Sequence, residues 1–144
     1  MKSLALSLLV AATSLPALAQ EVTLKFHHIW NPQAMAAVNV ITPWCSKVAA
    51  ESNNRLKCQL LPAMSGGGTP PQLVDRVKDG VDDLTITLPG YTAGRFPTTE
   101  VYELPFMTNS AEAGARASWD CINKHSLKEF PGTKLLATWV HDEG

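Results

Sequence analysis

Two loops of this sequence carry side chains that suit the binding of a small polar molecule. The first contains His27, His28 and Trp30 directly after an apolar stretch. Neighbouring residues of an extended strand point to opposite faces, so His27 and His28 are poorly placed to hold one metal ion together. We expect His28 and Trp30 to line a pocket. In the alternative, Trp30 packs on the start of a helix and His28 is solvated.

The second loop spans residues 89–97 and reads PGYTAGRFP. Tyr91 offers an aromatic body with a hydroxyl donor, Phe96 can wall a pocket, and Arg95 can pair with a carboxylate in fork geometry. Gly90 lets the backbone approach a ligand closely. We expect this loop to contact a ligand. The alternative is an ordinary surface loop with Tyr91 and Phe96 folded into the core.

Residue patterns that would indicate an enzyme are absent from the sequence. It has no GxSxG nucleophile elbow, no HExxH, no P-loop and no GxGxxG. Gly66 to Gly68 stand ahead of a helix and indicate a turn, with anion contact as a less specific alternative. Nothing places Glu100 and Glu103 across a substrate. We therefore predict a binding protein with no catalytic residue, no metal site and no cofactor.

The two loops follow strands in an alternating pattern of strands and helices. Alternating apolar residues predict strands at residues 22–27, 56–60 and 84–88. Residues 135–140 form an almost unbroken apolar run, which predicts a fourth strand covered on both faces.

Helix signals lie between these strands. Asn31 precedes a proline and predicts the start of the first helix, which Pro43 should kink or restart. Thr69 and Gln72 form a capping-box pair at the second helix, and Ser110 predicts the N-cap of the third. The apolar face of the third helix is predicted to contain Ala115, Trp119 and Ile122.

This order of elements predicts an α/β domain with a mainly parallel sheet and helices on both faces. Ligands of such sheets bind at the carboxyl ends of strands, where the strand order changes direction. Both loops leave the carboxyl ends of strands, so we expect them to border one site.

The first residues, MKSLALSLLVAATSLPALA, have the organisation of a secretory signal peptide. A basic Lys2 precedes an apolar region, and Ala17-Leu18-Ala19 provides a cleavage site. The rival interpretation is a membrane anchor, but the apolar run is shorter than the ~20 residues that span a bilayer. We expect cleavage after Ala19 and export of residues 20–144 to the periplasm as a chain that does not span the membrane.

Composition and cysteine content limit the remaining classes. The formal net charge is −1 and no Lys/Arg cluster appears, so the electrostatic signature of a nucleic-acid-binding protein is lacking. The length suits one domain. Cys45 and Cys58 flank the first helix–strand turn and are the favoured disulfide pair if one forms, whereas buried free thiols are the alternative.

Four segments together resemble the N-terminal lobe of the solute-binding proteins of TRAP transporters (DctP type): VTLKFHHIWNP, GGGTPPQLVDRVKDGVDDLTIT, PGYTAGRFP and EVYELPFM. The resemblance extends from Val22 to His141. It implies a periplasmic-binding-protein-like (type II) lobe. In this family two α/β lobes close on an organic acid and deliver it to the integral membrane subunits. The PGYTAGRFP loop is similar to a subgroup whose ligands tend to be aromatic or hydroxy carboxylates.

The resemblance assigns positions to several site residues. His28 and Trp30 match the first-strand loop that faces the cleft, Tyr91 matches the loop after the third strand, and Phe96 matches a nearby wall. Ser65-Gly66 stand where the family usually has a bulkier Gln-Leu pair.

The family's main carboxylate-clamping arginine lies in a second lobe, which the sequence up to Gly144 does not contain, and Arg95 does not inherit its role. The resemblance thus implies an incomplete lobe that binds its ligand weakly or not at all when alone. It also implies an exposed apolar patch where the second lobe and crossover strands would dock. The alternative function is an independent exported single-domain interaction protein without a transport role.

Overall fold

A computed structural model describes residues 20–140 of the chain. The predicted signal peptide, residues 1–19, lies outside the described residues. Within residues 20–140, no helix is both long enough and apolar enough to cross a bilayer.

A parallel sheet organises the fold. Its strands are β1 (Val22–His28), β2 (Leu56–Leu61) and β3 (Leu84–Ile86). The order is β2-β1-β3, so the chain passes from β1 to one neighbour and then crosses to the other side. This confirms the predicted parallel sheet and places the change of direction between the carboxyl ends of β1 and β3.

β3 is shorter than predicted. It ends at Ile86, whereas the alternation extended to Leu88. A single helical turn, Pro89–Thr92, starts soon after it. Proline cannot donate to a strand ladder, so the strand cannot continue into this turn as a paired segment.

The first helical segment covers the Phe26 side of the sheet. A π-helical stretch, Ala37–Ile41, leads into α1 (Thr42–Glu51), and Pro43 lies in the first turn of α1. The backbone stays helical from Met35 through Pro43, so the predicted restart is wrong, and the segment instead changes from π-helical to α-helical geometry just before the proline. The helical segment begins at Met35, later than the predicted start. The Asn31 side chain instead accepts a hydrogen bond from the Gln33 N–H at 2.9 Å, which forms a turn ahead of the helix.

A disulfide ties α1 to β2 across the main core. Phe26, Ile41 and Cys45 are buried there, and Cys58 packs against them. Cys45 and Cys58 form the bridge, with their Cα atoms 5.7 Å apart, and Cys121 is a free, half-buried thiol. The favoured cysteine pair is thus confirmed.

The opposite face of β1 is covered by α2 (Leu73–Lys78) and the residues around it. Leu73 is fully buried. The predicted capping box precedes α2, where the Thr69 N–H donates to the Gln72 Oε1 at 2.8 Å. Since α1 lies on the Phe26 side and the α2 side chain of Arg76 reaches the His27 side through Asp82, helices cover both faces.

The chain after β3 is mostly helical. It contains α3 (Pro97–Glu100) and α4 (Ala111–Cys121), joined by shorter turns. Ser110 caps α4 as predicted, since its hydroxyl accepts from the Ala113 N–H at 3.2 Å. The predicted apolar face is partly wrong. Gly114, Ser118 and Ile122 are the buried residues, whereas Trp119 is 37% exposed.

The predicted fourth strand is not formed. Residues 134–140 have no regular secondary structure in the part of the chain that the structure describes. Side chains, rather than a strand ladder, hold this segment to α4. The hydroxyls of Thr138 and Ser118 lie 2.9 Å apart, and Val140 packs against Gly114, where a Cβ would collide with it. The apolar run therefore reflects packing on a helix instead of pairing with β3.

Candidate functional site

His28 ends β1 and is buried. Its side chain is 1% exposed, and its ring contacts Phe26 edge-to-face with centroids 6.1 Å apart. The Nδ1 atom has no hydrogen-bond partner among the described residues. Burial lowers the pKa of His28, the neighbouring His27 lowers it further, and the backbone of Trp30 opposes both. His28 is thus a neutral imidazole at neutral pH, and the solvated alternative is wrong.

Trp30 joins the core to the open end of β1. Its ring packs against the core cluster of Phe26, Ile41 and Cys45. Its centroid lies 6.1 Å from that of His28 and 6.3 Å from that of Trp139. Trp30 is half-buried. The ring therefore both packs on the core and contributes to an aromatic cluster at the carboxyl end of β1.

The turn after β2 fixes the backbone of this loop. The Ala63 N–H donates to the Trp30 carbonyl at 2.8 Å, and the Met64 N–H donates to the His28 carbonyl at 3.1 Å. Ala63 and Met64 have φ angles of 49° and 59°. Such left-handed conformations are unfavourable for residues with a Cβ. The two hydrogen bonds stabilise them, and they hold His28 and Trp30 in register with the turn.

A buried charge cluster supports this turn from the far face of β1. Asp82 Oδ2 accepts from Arg76 Nε at 2.6 Å and pairs with His27 Nδ1 at 2.8 Å. Burial raises the pKa of Asp82, but the hydrogen bonds from Arg76 and His27 outweigh it and leave the pKa below its ordinary value. Arg76 also donates to the Gly66 carbonyl at 2.9 Å.

This cluster explains the small residue at position 66. A Cβ on Gly66 would lie 2.9 Å from His27 Cε1, a distance that real Cβ atoms do not tolerate. The bulkier residue that the family resemblance implied would therefore displace His27. The absence of a side chain at Gly66 thus leaves the space that the His27 ring occupies.

The loop after β3 is held by carboxylates of the chain itself. The Gly90 N–H donates to Glu103 Oε2 at 3.0 Å, and the Gly94 N–H donates to Glu100 Oε1 at 2.8 Å. Tyr91 projects outward and is 39% exposed. The loop thus presents Tyr91 to solvent, while the Gly90 amide already has an acceptor.

Arg95 and Phe96 face the protein more than the solvent. The guanidinium of Arg95 forms a fork with Asp75, at 3.0 Å and 2.7 Å, and this lowers the pKa of Asp75. Phe96 is 2% exposed and stacks on Phe130 at a centroid distance of 5.0 Å. The alternative in which both aromatic side chains of this loop fold into the core is therefore correct for Phe96 and wrong for Tyr91.

An apolar cavity of about 310 Å³ lies beside the outer edge of β3. Side chains of α1, β3 and the segment 133–140 line it, together with Phe26 of β1 and Phe96. Of the six predicted site residues, Phe96 alone borders this cavity. The structure thus brings His28 and Trp30 together at the end of β1, and it places Arg95 and Phe96 elsewhere, against Asp75 and Phe130.

The aromatic cluster includes a residue that sequence reasoning missed. Trp139 contacts Trp30 and is 41% exposed. It lies in the apolar run that predicted a buried strand. The available signal was a large aromatic residue between Thr138 and Val140. In the strand predicted there, alternate residues point to opposite sides, so Trp139 would face away from these two neighbours.

The fold and these motifs match a known family. The model for the bacterial extracellular solute-binding protein family 7, DctP, matches residues 26–143. The chain belongs to this family. The resemblance read from its motifs is therefore confirmed, and the family is one of solute-binding receptors rather than of enzymes.

Solved relatives share the fold closely. A TRAP solute-binding protein from Rhodoferax ferrireducens T118, in complex with copurified benzoate, is 50% identical with a TM-score of 0.81, over 84% of this chain and 38% of that one. A marine metagenome TRAP solute-binding protein with 3-hydroxybenzoate is 45% identical with a TM-score of 0.82, over 85% and 38% of the two chains.

A curated relative adds to these. The outer membrane transporter protein TsaT of Comamonas testosteroni is 28% identical over 94% of this chain and 40% of its own length. The chain thus spans about two fifths of the length of the relatives that it matches.

Proposed function

We propose that this DctP-family chain serves in a TRAP-type uptake system, in which it captures an aromatic carboxylate in the periplasm. Export would use residues 1–19 as a signal peptide cleaved after Ala19. The partners would be the organic acid and the integral membrane subunits of the transporter. Similarity to receptors that hold benzoate, 3-hydroxybenzoate and, at 28% identity, mandelate supports this ligand class.

The observation that carries the proposal is the aromatic cluster at the carboxyl end of β1. There Trp30 offers a flat apolar surface, and beside it the Nδ1 atom of the buried His28 has no hydrogen-bond partner among residues 20–140. Ligand sites combine mostly apolar walls with a few polar groups, and an unpaired buried polar atom favours a partner. An aromatic acid with a polar substituent matches both features.

The four remaining predicted site residues differ in how readily they could contact a ligand. Tyr91 is exposed after β3 and is free to turn its hydroxyl toward a ligand. Gly90 would donate its N–H to a ligand only by releasing Glu103. Arg95 would bind a carboxylate only by leaving Asp75, and Phe96 would act as a wall from within the core.

The test is a titration of isotope-labelled residues 20–144 followed by backbone and indole NMR signals. Benzoate is the probe, with benzamide as the same ring without the charge. We expect benzoate to shift signals of residues 28–31, with a smaller effect from benzamide and no shift of the Trp119 indole. Benzoate that shifts signals elsewhere in the chain but none near the end of β1 would refute the proposal.

A further inference from the structure

The segment that follows α4 brings one aromatic ring, Trp139, against Trp30. Thr138 and Val140 face α4, through the Ser118 hydroxyl and the space at Gly114. Trp139 lies between these two residues and contacts Trp30. Contacts on both sides of it in the sequence fix its backbone.

Trp139 and Trp30 face each other with part of the surface open. Their centroids are 6.3 Å apart and their planes are inclined by 50°. Trp139 keeps 41% of its surface exposed, although Val140 beside it is 9% exposed. The two rings therefore form an angled pair, which is within the distance range of favourable aromatic contacts.

We infer that Trp139 and Trp30 form the aromatic wall of the carboxylate site and that Trp139 determines its preference for flat aromatic acids. The inference rests on the proposed function. A flat ring can stack on an indole face or meet it edge-on, whereas a saturated ring with the same carboxylate lacks the π-system. The neutral His28 adds no positive charge, so the rings rather than a cation discriminate between the two acids.

The experiment compares benzoate with cyclohexanecarboxylate on residues 20–144 by the indole NMR signals. Trp139→Leu removes the ring and keeps an apolar side chain. Trp119→Leu is the matched control, because Trp119 is 37% exposed on α4. We expect Trp139→Leu to weaken benzoate binding about three- to tenfold and to leave cyclohexanecarboxylate binding unchanged. Trp119→Leu should bind both acids as the wild type does.

The outcomes separate the inference from the proposed function. Wild-type binding of benzoate that Trp139→Leu leaves unchanged would overturn the inference and leave the function standing. Wild-type binding of benzoate that shifts no signal of residues 28–31 would overturn both. If Trp139→Leu fails to fold, Trp139→Phe decides the matter. A kept preference for benzoate supports stacking, and a preference lost in the folded Phe variant contradicts it.

Discussion

At the scale of single residues, the two adjacent histidines of β1 have separate tasks. His27 pairs with Asp82 on one face, and His28 lies among aromatic rings on the other. Strand alternation predicted this separation, and with it the poor prospect of a shared metal. The sequence did not reveal that both would be fully buried, because burial on the two faces depends on α1 and α2 packing from far along the chain.

The pH dependence of the free energy of unfolding should reveal the lowered pKa of His28. Its pKa is lowered in the native state. The unfolded chain binds a proton near the ordinary histidine value of about 6.5, but the native chain binds it only at lower pH. The free energy of unfolding therefore falls as pH drops below about 6.5, until the native pKa is reached.

Replacing His28 by Phe should remove this contribution. Urea unfolding of His28→Phe at about pH 7.5 and about pH 5 should show a smaller difference between the two conditions than the wild type. The control is His125→Gln, because His125 is exposed and should keep the wild-type pH response. An unchanged response in His28→Phe would contradict the assignment.

Asp82 is the second residue whose charge matters. Its side chain is 1% exposed and accepts from both Arg76 and His27. Removing one partner of a buried pair leaves the others uncompensated, so Asp82→Asn should lower the free energy of unfolding by about 3 kcal/mol at neutral pH. Asp79→Asn is the control, since Asp79 is exposed and should change stability by less than about 0.5 kcal/mol.

The contribution of the Asp82 carboxylate to stability should be lost over a defined range of acidic pH. Because its native pKa is lowered, Asp82 stabilises the fold above the ordinary carboxyl value of about 4, and this is lost as pH falls through the native pKa. Acid titrations followed by circular dichroism should show less loss of stability below about pH 4 in Asp82→Asn than in the wild type. Equal loss in both proteins would count against this role.

At the scale of elements, the local signals were those that predicted structure best. Alternation located β1 and β2, and Ser110 located the start of α4. Each depends on short-range geometry. The errors were non-local. The conformation of residues 135–140 and the buried face of α4 depend on how these two segments pack against each other. Gly114, and not a large apolar residue, lies at their closest contact.

The disulfide is an element-scale constraint with a measurable effect. Cys45 and Cys58 are separated by 13 positions, and a loop of this size should contribute about 3 kcal/mol by restricting the unfolded chain. The double variant Cys45→Ala/Cys58→Ala should lose this amount in urea unfolding. Cys121→Ala is the control, and thiol titration of the unfolded oxidised chain should find one free thiol. Three free thiols would rule the bridge out.

At the scale of the whole molecule, the candidate site is open. Tyr91 and Trp139 keep about two fifths of their surface in solvent, at 39% and 41%. The chain also spans 38% of the length of the solved relatives that hold benzoate and 3-hydroxybenzoate. Hydrogen bonds to a carboxylate gain strength when water is excluded. We therefore expect residues 20–144 alone to bind benzoate weakly. Micromolar affinity in calorimetry would contradict this expectation.

The measurement that tests the central claim most directly is benzoate binding by a chimera. Residues 20–140 would replace the matching part of the Rhodoferax ferrireducens protein, to which the chain is 50% identical, so that they are joined to the rest of that longer protein. Calorimetry should show saturable benzoate binding, tighter than that of residues 20–144 alone and lost when Trp30→Ala removes the wall. A chimera that unfolds cooperatively but binds no benzoate would contradict the account.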